Sequence, residues 1–265
     1  MAVHLRVPSL RADRPETAVR FGWPSRDARR KALKRAFDVI VAVLVLVVLL
    51  PLLLLVALLI VLDAPGPVLY RHMRAGYRGR PLRMLKFRKM RPDARGAYLT
   101  LAGDERLTRV GAWLARTKLD ELPQFWHVLR GEMSLVGPRP ESPVCVARYA
   151  SDYDVILSVR PGLTGYTQLA FCREASILDP HDPERHYLTD LLPQKVALDR
   201  FYAEHSSLRR DLRILAATIG TLVLRQPVAV HRTAGTLTRR RRPTVGERRV
   251  SAPAAVVGGG VGRDD

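Results

Sequence analysis

Two adjacent acidic residues in the middle of the chain give the clearest indication of chemistry. Asp120 and Glu121 lie in the segment RTKLDELPQFW, which is followed by an apolar run and then Gly131. Pro123 near the beginning and a glycine just past the end are typical of a helix, so the acids are predicted at a helix N-terminus. Carboxylates there can simply satisfy unpaired backbone N–H groups, which contributes about 0.3–1 kcal/mol. The pair alone therefore leaves a structural and a catalytic interpretation open.

Phosphate-binding patterns occur on both sides of this pair. Between residues 63 and 93 the sequence has nine Arg or Lys and no acid, and it includes the glycine-bearing segment RAGYRG. Two further turns rich in Gly and Pro, GEMSLVGPRPE and RPGLTGYTQ, carry Arg139 and Arg160. Such turns present backbone N–H groups and a guanidinium group, which suit phosphate. The combination predicts phosphoryl transfer, in which one carboxylate attacks phosphorus and the other holds a divalent metal ion.

The composition favours a polyanionic partner. The chain has 265 residues, a formal net charge of +19 and a sequence pI near 11.0. Nucleic acid, anionic lipid and phosphorylated substrates all fit this charge. Cys145 and Cys172 lack the spacing of a metal site or a disulfide framework, so they are interpreted as reduced thiols.

A long apolar run indicates membrane attachment. The run from 39 to 62 has 24 residues and no charged side chain. As a straight helix it would be about 36 Å long, which exceeds the roughly 30 Å thickness of a bilayer's hydrocarbon core. A signal peptide is excluded by the length and late start of the run. Pro51 predicts a kink. Both flanks are basic, and this favours a re-entrant helix, which enters and leaves on the cytoplasmic side, over a simple span. Asp38 is then expected near the lipid headgroups.

The predicted fold class is α+β and mostly helical, with a small cytoplasmic catalytic domain behind the membrane helix. The expected order is a flexible tail over residues 1–28, the membrane helix over 29–62, the catalytic domain over 63–225 and a disordered basic tail over 226–265. Apolar residues recur at helical spacing around Leu114 and along 208–222, opposite arginines. These amphipathic helices either pack on the core or lie in the membrane interface.

Several multi-residue motifs together resemble the bacterial sugar transferase family, the monotopic phosphoglycosyl transferases that initiate bacterial glycans. The motifs are KRAFDVIVAVL, PGPVLYRHMRAGYRGRPLRMLKFRKM, LDELPQFWHVLRGEMSLVGPRP and RPGLTGYTQ, in this order, and the likeness covers roughly residues 31–223. The short chain resembles the minimal form of the family. The resemblance implies a re-entrant helix on the cytoplasmic face of the inner membrane, Mg²⁺, a UDP-sugar donor and undecaprenyl phosphate or another polyprenyl phosphate as acceptor.

The resemblance also implies roles for individual residues. Asp120 matches the nucleophile that attacks the β-phosphate and releases UMP, and Glu121 matches the metal-binding acid. Basic residues of the same site are Lys86 and Arg116, with Arg139 and Arg160 assigned to phosphate or nucleotide contacts. The roles of Asp199 and Asp211, which match late acidic positions, stay open.

The sequence departs from the family pattern in two places. His127 and Glu132 stand where Asn and Asp are usual, and residues 168–188 replace a short Gly-Arg-Asn turn. The second departure is expected to border the sugar pocket and leaves the sugar open, as the sequence leaves open whether the chain forms a homo-oligomer. A nucleic-acid-binding protein is disfavoured by the apolar run, and the non-enzyme alternative is a membrane-attached scaffold that would tolerate loss of Asp120.

Overall fold

The computed structural model describes residues 26–94, 103–172, 174–222, 228–230 and 236–239. This part of the chain is mostly helical with small sheets, which confirms the predicted class. The helices are α1 (Arg26–Asp63), α2 (Arg109–Thr117), α3 (Phe125–Arg130), α4 (Pro143–Arg148), α5 (Ala150–Ile156), α6 (Tyr166–Ala170), α7 (Pro183–His186), α8 (Leu192–His205) and α9 (Leu208–Leu222). The strands are β1 (Leu69–Ala75), β2 (Pro81–Phe87), β3 (Ser134–Val136), β4 (Gly162–Thr164), β5 (Val228–Val230) and β6 (Leu237–Arg239). Short 3₁₀ turns cover Tyr77–Gly79, Leu119–Gln124 and Glu174–Ser176, and a π-helical turn covers Tyr187–Leu191.

Two strand pairs organise the catalytic domain. Strands β1 and β2 form an antiparallel hairpin, and β3 and β4 pair in parallel although they lie far apart in sequence. The second pair brings the two turns rich in Gly and Pro side by side. A side chain at Gly162 would stand 2.0 Å from the backbone nitrogen of Gly137, so this close approach requires glycine.

The main core lies between the hairpin and the last two helices. Leu82 and Met84 of β2 pack in one buried cluster with Tyr166 of α6, Tyr202 of α8 and Ile214 of α9. The inward face of β2 alternates with an outward face, as expected for a half-buried strand. The same face continues to Lys86, which the core therefore positions.

Helix α1 is continuous from Arg26 to Asp63 and includes Pro51, so the kink stays a prediction. It is the one helix of the described residues that is long and apolar enough to cross a membrane. Its two ends contact the catalytic domain: Ala42 belongs to the main core, while Val56 and Ile60 pack against Phe87 at the end of β2. The side chains between these ends are largely exposed, with Val47 at 66%.

The beginning of α1 differs from the sequence-based expectation. Asp38, expected near the lipid headgroups, is buried inside the domain, where Ser134 Oγ donates to it at 2.8 Å and the Leu135 N–H at 3.3 Å. These partners replace the water that the carboxylate loses on burial. Lys34 pairs with Asp211 of α9 at 2.6 Å, which ties the same turn of α1 to the far side of the domain.

The two helices predicted to be amphipathic, α2 and α9, differ in how far their apolar side chains pack on the core. Leu114 of α2 is fully buried, whereas Trp113 on the same helix is partly exposed. On α9 the buried side holds Ile214, while Leu212, Ile219 and Leu222 are exposed. The apolar stripe predicted along α9 is therefore largely not a core face.

The termini fall mostly outside the described residues. Of the tail predicted over residues 1–28, only 26–28 are described, and they belong to α1. Strands β5 and β6 pair in antiparallel fashion with Val228 opposite Arg239. This hairpin differs from the disordered tail predicted from residue 226, because the side chains of Val230 and Leu237 pack on the main core.

Candidate active site

The acid pair lies in a 3₁₀ turn that leads into α3, rather than in the first turn of an α-helix. Lys118, with a φ of 61°, ends α2 in a left-handed conformation and reverses the chain into Leu119–Gln124. Asp120 is buried, with a side chain only 4% exposed, whereas the Glu121 side chain is 21% exposed and lines a cleft. The two adjacent acids are thus placed at different depths.

Three cations contact the pair. Lys86 Nζ of β2 lies 2.7 Å from Glu121 Oε1, and an Nη2 of Arg139 lies 3.5 Å from the same oxygen. Lys89, just beyond β2, lies 3.8 Å from Asp120 Oδ2. The structure therefore brings together four of the predicted residues and adds Lys89, which the sequence offered only as one member of a basic run.

Burial and charge act differently on the two acids. Burial raises the pKa of Asp120, and Lys86 and Lys89 oppose this rise. Burial also disfavours the charged form of Glu121, but Lys86 and Arg139 outweigh it and hold the pKa of Glu121 below its usual value. Glu121 is therefore ionised at neutral pH, and for Asp120 the neighbouring cations favour the charged form that burial disfavours.

Asp199 supports the turn that carries Arg139. Its carboxylate accepts from the backbone N–H of Arg139 at 3.3 Å and from Thr167 Oγ1 at 2.6 Å. Burial raises the pKa of Asp199 to about 7. Asp199 thus lies behind the site and holds the backbone at Arg139. This contact gives Asp199, whose role the sequence left open, a structural role.

The other predicted residues are spread over the domain. Arg116 lines the cleft from the last turn of α2, without an ion pair to either acid. Arg160 does not line the cleft: its Nε donates to the Gly131 carbonyl at 2.8 Å, and its guanidinium lies 5.2 Å from the Tyr77 ring centroid. Arg160 therefore links two turns outside the cleft, and its predicted phosphate contact stays a prediction. Asp211, paired with α1, is also away from the cleft.

The cleft itself has a volume of about 1670 Å³. The hairpin and α2 form its basic side, and α6, the turn after it and the end of α9 form the opposite side. A space of this size exceeds what one drug-sized ligand needs, so it can hold an extended substrate. Its basic residues include Lys86, Lys89, Arg91, Arg109, Arg116 and Arg139.

Comparison with known proteins identifies the family. The family model for bacterial sugar transferases matches residues 29–225. This chain belongs to the bacterial sugar transferase family.

The transferase is similar to several characterised relatives. It is 40% identical over 195 residues to a UDP-glucose:undecaprenyl-phosphate glucose-1-phosphate transferase of Caulobacter vibrioides, which covers 72% of this chain and 69% of the relative. It is 35% identical over 196 residues to a UDP-N-acetylgalactosamine-undecaprenyl-phosphate N-acetylgalactosaminephosphotransferase of Aeromonas hydrophila, covering 72% and 44%. It is 38% identical over 196 residues to the exopolysaccharide production protein PSS of Rhizobium leguminosarum, covering 71% and 93%. Among the relatives compared, the covered share of their length runs from 35% to 93%.

The two single-residue departures of this transferase turn out to be partners. His127 Nδ1 lies 2.5 Å from Glu132 Oε2, and His127 Nε2 accepts from the backbone N–H of Leu85 at 3.0 Å. Because Nε2 accepts this hydrogen bond, Nδ1 is the ring nitrogen that donates to Glu132. Because Leu85 immediately precedes Lys86, the pair lies directly behind the cation that contacts Glu121.

A buried network next to the cleft had no clear signal in the sequence. Glu141, predicted only as the end of a turn, accepts from Tyr187 at 2.9 Å and pairs with Arg74 and Lys195, each at 3.2 Å. Lys195 is only 2% exposed and also contacts Glu174 at 3.1 Å. These residues are distant in sequence, and no local pattern marks a lysine that a fold will bury.

Proposed function

We propose that this transferase moves a sugar 1-phosphate from a UDP-sugar to undecaprenyl phosphate or a related polyprenyl phosphate, and releases UMP. The observation that carries the proposal is the acid pair at a basic cleft, with Lys86 and Arg139 both on Glu121 Oε1. The relatives' names supply the donor and acceptor class. This transfer is the initiating step in the synthesis of exopolysaccharide, O-antigen or another glycoconjugate.

The reaction proceeds in two displacements on one phosphorus atom. In the first, an Asp120 oxygen bonds to the β-phosphorus of the donor, and the bond from that phosphorus to the bridging oxygen breaks, so UMP leaves with the oxygen. In the second, a phosphate oxygen of the polyprenyl phosphate bonds to the same phosphorus, and the bond to Asp120 breaks. Arg139 and the lysines offset the charge of the diphosphate.

The depth of Asp120 requires the donor phosphate to approach past Lys89. Lys89 lines the cleft and its Nζ lies 3.8 Å from the buried Asp120 carboxylate, and burial lowers the pKa of its ammonium group. A phosphate group attracts the same ammonium, so Lys89 can move from Asp120 to the substrate as the donor enters. Glu121, which already lines the cleft, is the alternative nucleophile, and the adduct experiment below separates the two.

Magnesium fits the carboxylates on this side of the cleft. The described residues hold no group of three or more His, Cys, Asp or Glu side chains that could bind a metal. Mg²⁺ commonly takes only one or two protein carboxylates and completes its shell with substrate phosphates and water. Glu121 would hold the ion, together with substrate phosphates and water. When bound, Mg²⁺ would neutralise charge on the diphosphate.

Membrane attachment through a re-entrant α1 completes the proposal. Support comes from the packing of both ends of α1 on one domain and from the basic flanks. A straight span would carry Val56 and Ile60 across the bilayer and away from Phe87. The exposed apolar side chains of α9, such as Ile219, fit an interfacial position. The catalytic domain then lies on the cytoplasmic face of the inner membrane, where the positive-inside bias directs both flanks.

Topology can be tested with single cysteines. In a chain with Cys145 and Cys172 changed to Ser, Ala28→Cys and Arg80→Cys mark the two flanks of α1. A membrane-impermeant maleimide should label neither site in intact spheroplasts and both after permeabilisation. Labelling of one site alone in intact spheroplasts would establish a simple span.

The catalytic proposal is tested with purified full-length protein in detergent. Undecaprenyl phosphate, Mg²⁺ and a panel of UDP-sugars are supplied, and released nucleotide is measured for the wild type, Asp120→Asn and Glu121→Gln. The exposed Asp154 of α5 offers a matched control as Asp154→Asn. UMP release that requires Asp120 but not Asp154 supports the reaction, whereas UDP would indicate transfer of the sugar alone.

Intact-mass measurement without the lipid acceptor identifies the nucleophile. A mass increase equal to one sugar phosphate should appear in the wild type and be absent from Asp120→Asn. An adduct that persists in Asp120→Asn and disappears in Glu121→Gln would reassign the nucleophile. A protein with no UMP release and no adduct for any donor would instead fit the scaffold.

A further inference from the structure

Part of the segment 168–188 lines the cleft. Gln168 of α6 and Glu174 of the following 3₁₀ turn line the same space as Glu121 and Arg139. The basic residues face this space from the hairpin, α2 and the Arg139 turn, while Gln168, Thr164 and Thr218 are neutral. Glu174 is therefore an acidic group among lining side chains that are otherwise uncharged, either neutral polar or apolar as in Leu169 and Phe171.

The position of Glu174 is fixed from behind by a buried lysine. Lys195 Nζ contacts Glu174 Oε2 at 3.1 Å and Glu141 Oε1 at 3.2 Å, and it donates to Tyr187 Oη at 2.9 Å. A lysine that is 2% exposed is compatible with folding only where carboxylates compensate its charge. The Glu174 side chain is itself 26% exposed, so it is anchored through Oε2 and still accessible from the cleft.

Glu174 is also close to the phosphate-binding end. The pKa of Arg139 is raised, against the effect of burial, first by Glu121 and next by Glu174. The contacts of Lys195 give the same proximity, since its Nζ lies 3.1 Å from Glu174 Oε2 and 3.2 Å from Oε1 of Glu141, which is two residues beyond Arg139. In a UDP-sugar the anomeric oxygen is bonded directly to the β-phosphorus, so a β-phosphate held by Arg139 brings the sugar ring within reach of side chains next to that arginine.

We propose that Glu174, anchored by Lys195, accepts hydrogen bonds from hydroxyl groups of the donor sugar and thereby selects uncharged sugars over uronic acids. An ionised carboxylate is acceptor-only, so it suits hydroxyl donors and repels a second carboxylate. The inference rests on the proposed function. It goes further by assigning a residue outside the acid pair to donor selection.

The test is a change in preference between donors. For the full-length protein, kcat/KM for UMP release is measured with the best uncharged donor among UDP-glucose, UDP-galactose and UDP-N-acetylgalactosamine, and with UDP-glucuronate. Glu174→Gln should lower kcat/KM for the uncharged donor roughly ten- to hundredfold, as expected for a lost hydrogen bond to a charged group. The ratio between the uncharged donor and UDP-glucuronate should fall by at least about tenfold.

Two controls keep the result specific. Glu184→Gln makes the same change on an exposed position of α7 in the same segment and should leave the ratio unchanged. Inhibition by UMP should be unaltered in Glu174→Gln, because UMP lacks the donor sugar. The ratio is measured on one preparation, so partial unfolding of a variant does not change it.

Other outcomes overturn the inference in distinguishable ways. An unchanged donor ratio in an active Glu174→Gln protein would overturn it and leave the proposed function intact. Weaker UMP inhibition without a change in ratio would assign Glu174 to the ribose hydroxyls instead. A wild type that prefers UDP-glucuronate would also overturn it, and a wild type without UMP release for any donor would overturn the proposed function together with it.

Discussion

Replacement of His127 by Leu is expected to weaken both folding and catalysis. Leucine fills much of the space of the imidazole ring but has no acceptor, so the Leu85 N–H loses its partner at 3.0 Å. Glu132 loses its contact at 2.5 Å but is partly exposed and keeps Arg130 at 3.0 Å. The main effect is therefore on β2, immediately before Lys86.

The magnitude follows from the lost acceptor. An unsatisfied buried backbone donor costs about 1–3 kcal/mol. For a domain of this size each kcal/mol lowers the melting temperature by about 2–4 °C. A shift of the Lys86 ammonium from its 2.7 Å contact with Glu121 should also lower kcat by about tenfold or more, since misplacement by about 1 Å can have effects near a hundredfold.

Intrinsic tryptophan fluorescence during heating and UMP release at saturating donor measure the two effects. His127→Asn combined with Glu132→Asp keeps a side-chain acceptor and an acid, so this double variant should regain most of kcat. A His127→Leu protein that melts at the wild-type temperature and keeps kcat within twofold would refute the positioning argument. A loss of stability with unchanged kcat would restrict the pair to folding.

Three further predictions concern Asp199, the Lys34–Asp211 pair and two glycines in helices. The pKa of Asp199 is about 7 in the folded protein and exceeds the unfolded value, so ionisation of this carboxyl group opposes folding. The free energy of unfolding should therefore fall as the pH rises from about 4 to 7, by at most about 1.4 kcal/mol per pH unit. Denaturant titrations should show this slope in the wild type but not in Asp199→Asn, and equal slopes would contradict it. Lys34→Met leaves the Asp211 carboxylate buried without the cation that now lies at 2.6 Å. The free energy of unfolding should therefore fall by about 3 kcal/mol. A fall below about 0.5 kcal/mol would show that the pair contributes little to stability. Gly111→Ala would place a Cβ 1.8 Å from a backbone carbonyl oxygen and should destabilise α2. Gly220→Ala meets nothing within 4 Å and should stabilise α9 by up to about 1 kcal/mol. Similar melting temperatures for both variants would contradict the close packing at Gly111.

The parts of the site that could be predicted are those carried by local motifs. Asp120 and Glu121 are adjacent, and Lys86 and Arg139 stand in contiguous patterns, so matching each motif was enough to select them. Their assembly depends on the hairpin and on the β3–β4 pair, which the sequence indicated only as short apolar stretches and turns. Their catalytic roles stay predictions.

The parts that were missed depend on tertiary contacts. Arg160 stands in the same kind of turn as Arg139, but its Nε donates to the Gly131 carbonyl and its guanidinium lies over the Tyr77 ring, outside the cleft. Lys195 lies in a helix whose sequence shows no strong apolar stripe, and only packing reveals that it joins Glu141 to Glu174. A local pattern gives the residue type, while the fold decides which partner it meets.

The apolar helix is also part of the catalytic architecture. Val56 and Ile60 pack on Phe87, the residue after Lys86, and Asp63 accepts from the N–H of Val110 at 2.9 Å at the beginning of α2. The elements that carry Lys86 and the reversal into the acid pair therefore rest on the second half of α1. An anchor that only held the enzyme at the bilayer would need no such contacts. In the proposed membrane arrangement, the same contacts hold Lys86 and the acid pair next to the helix that enters the bilayer.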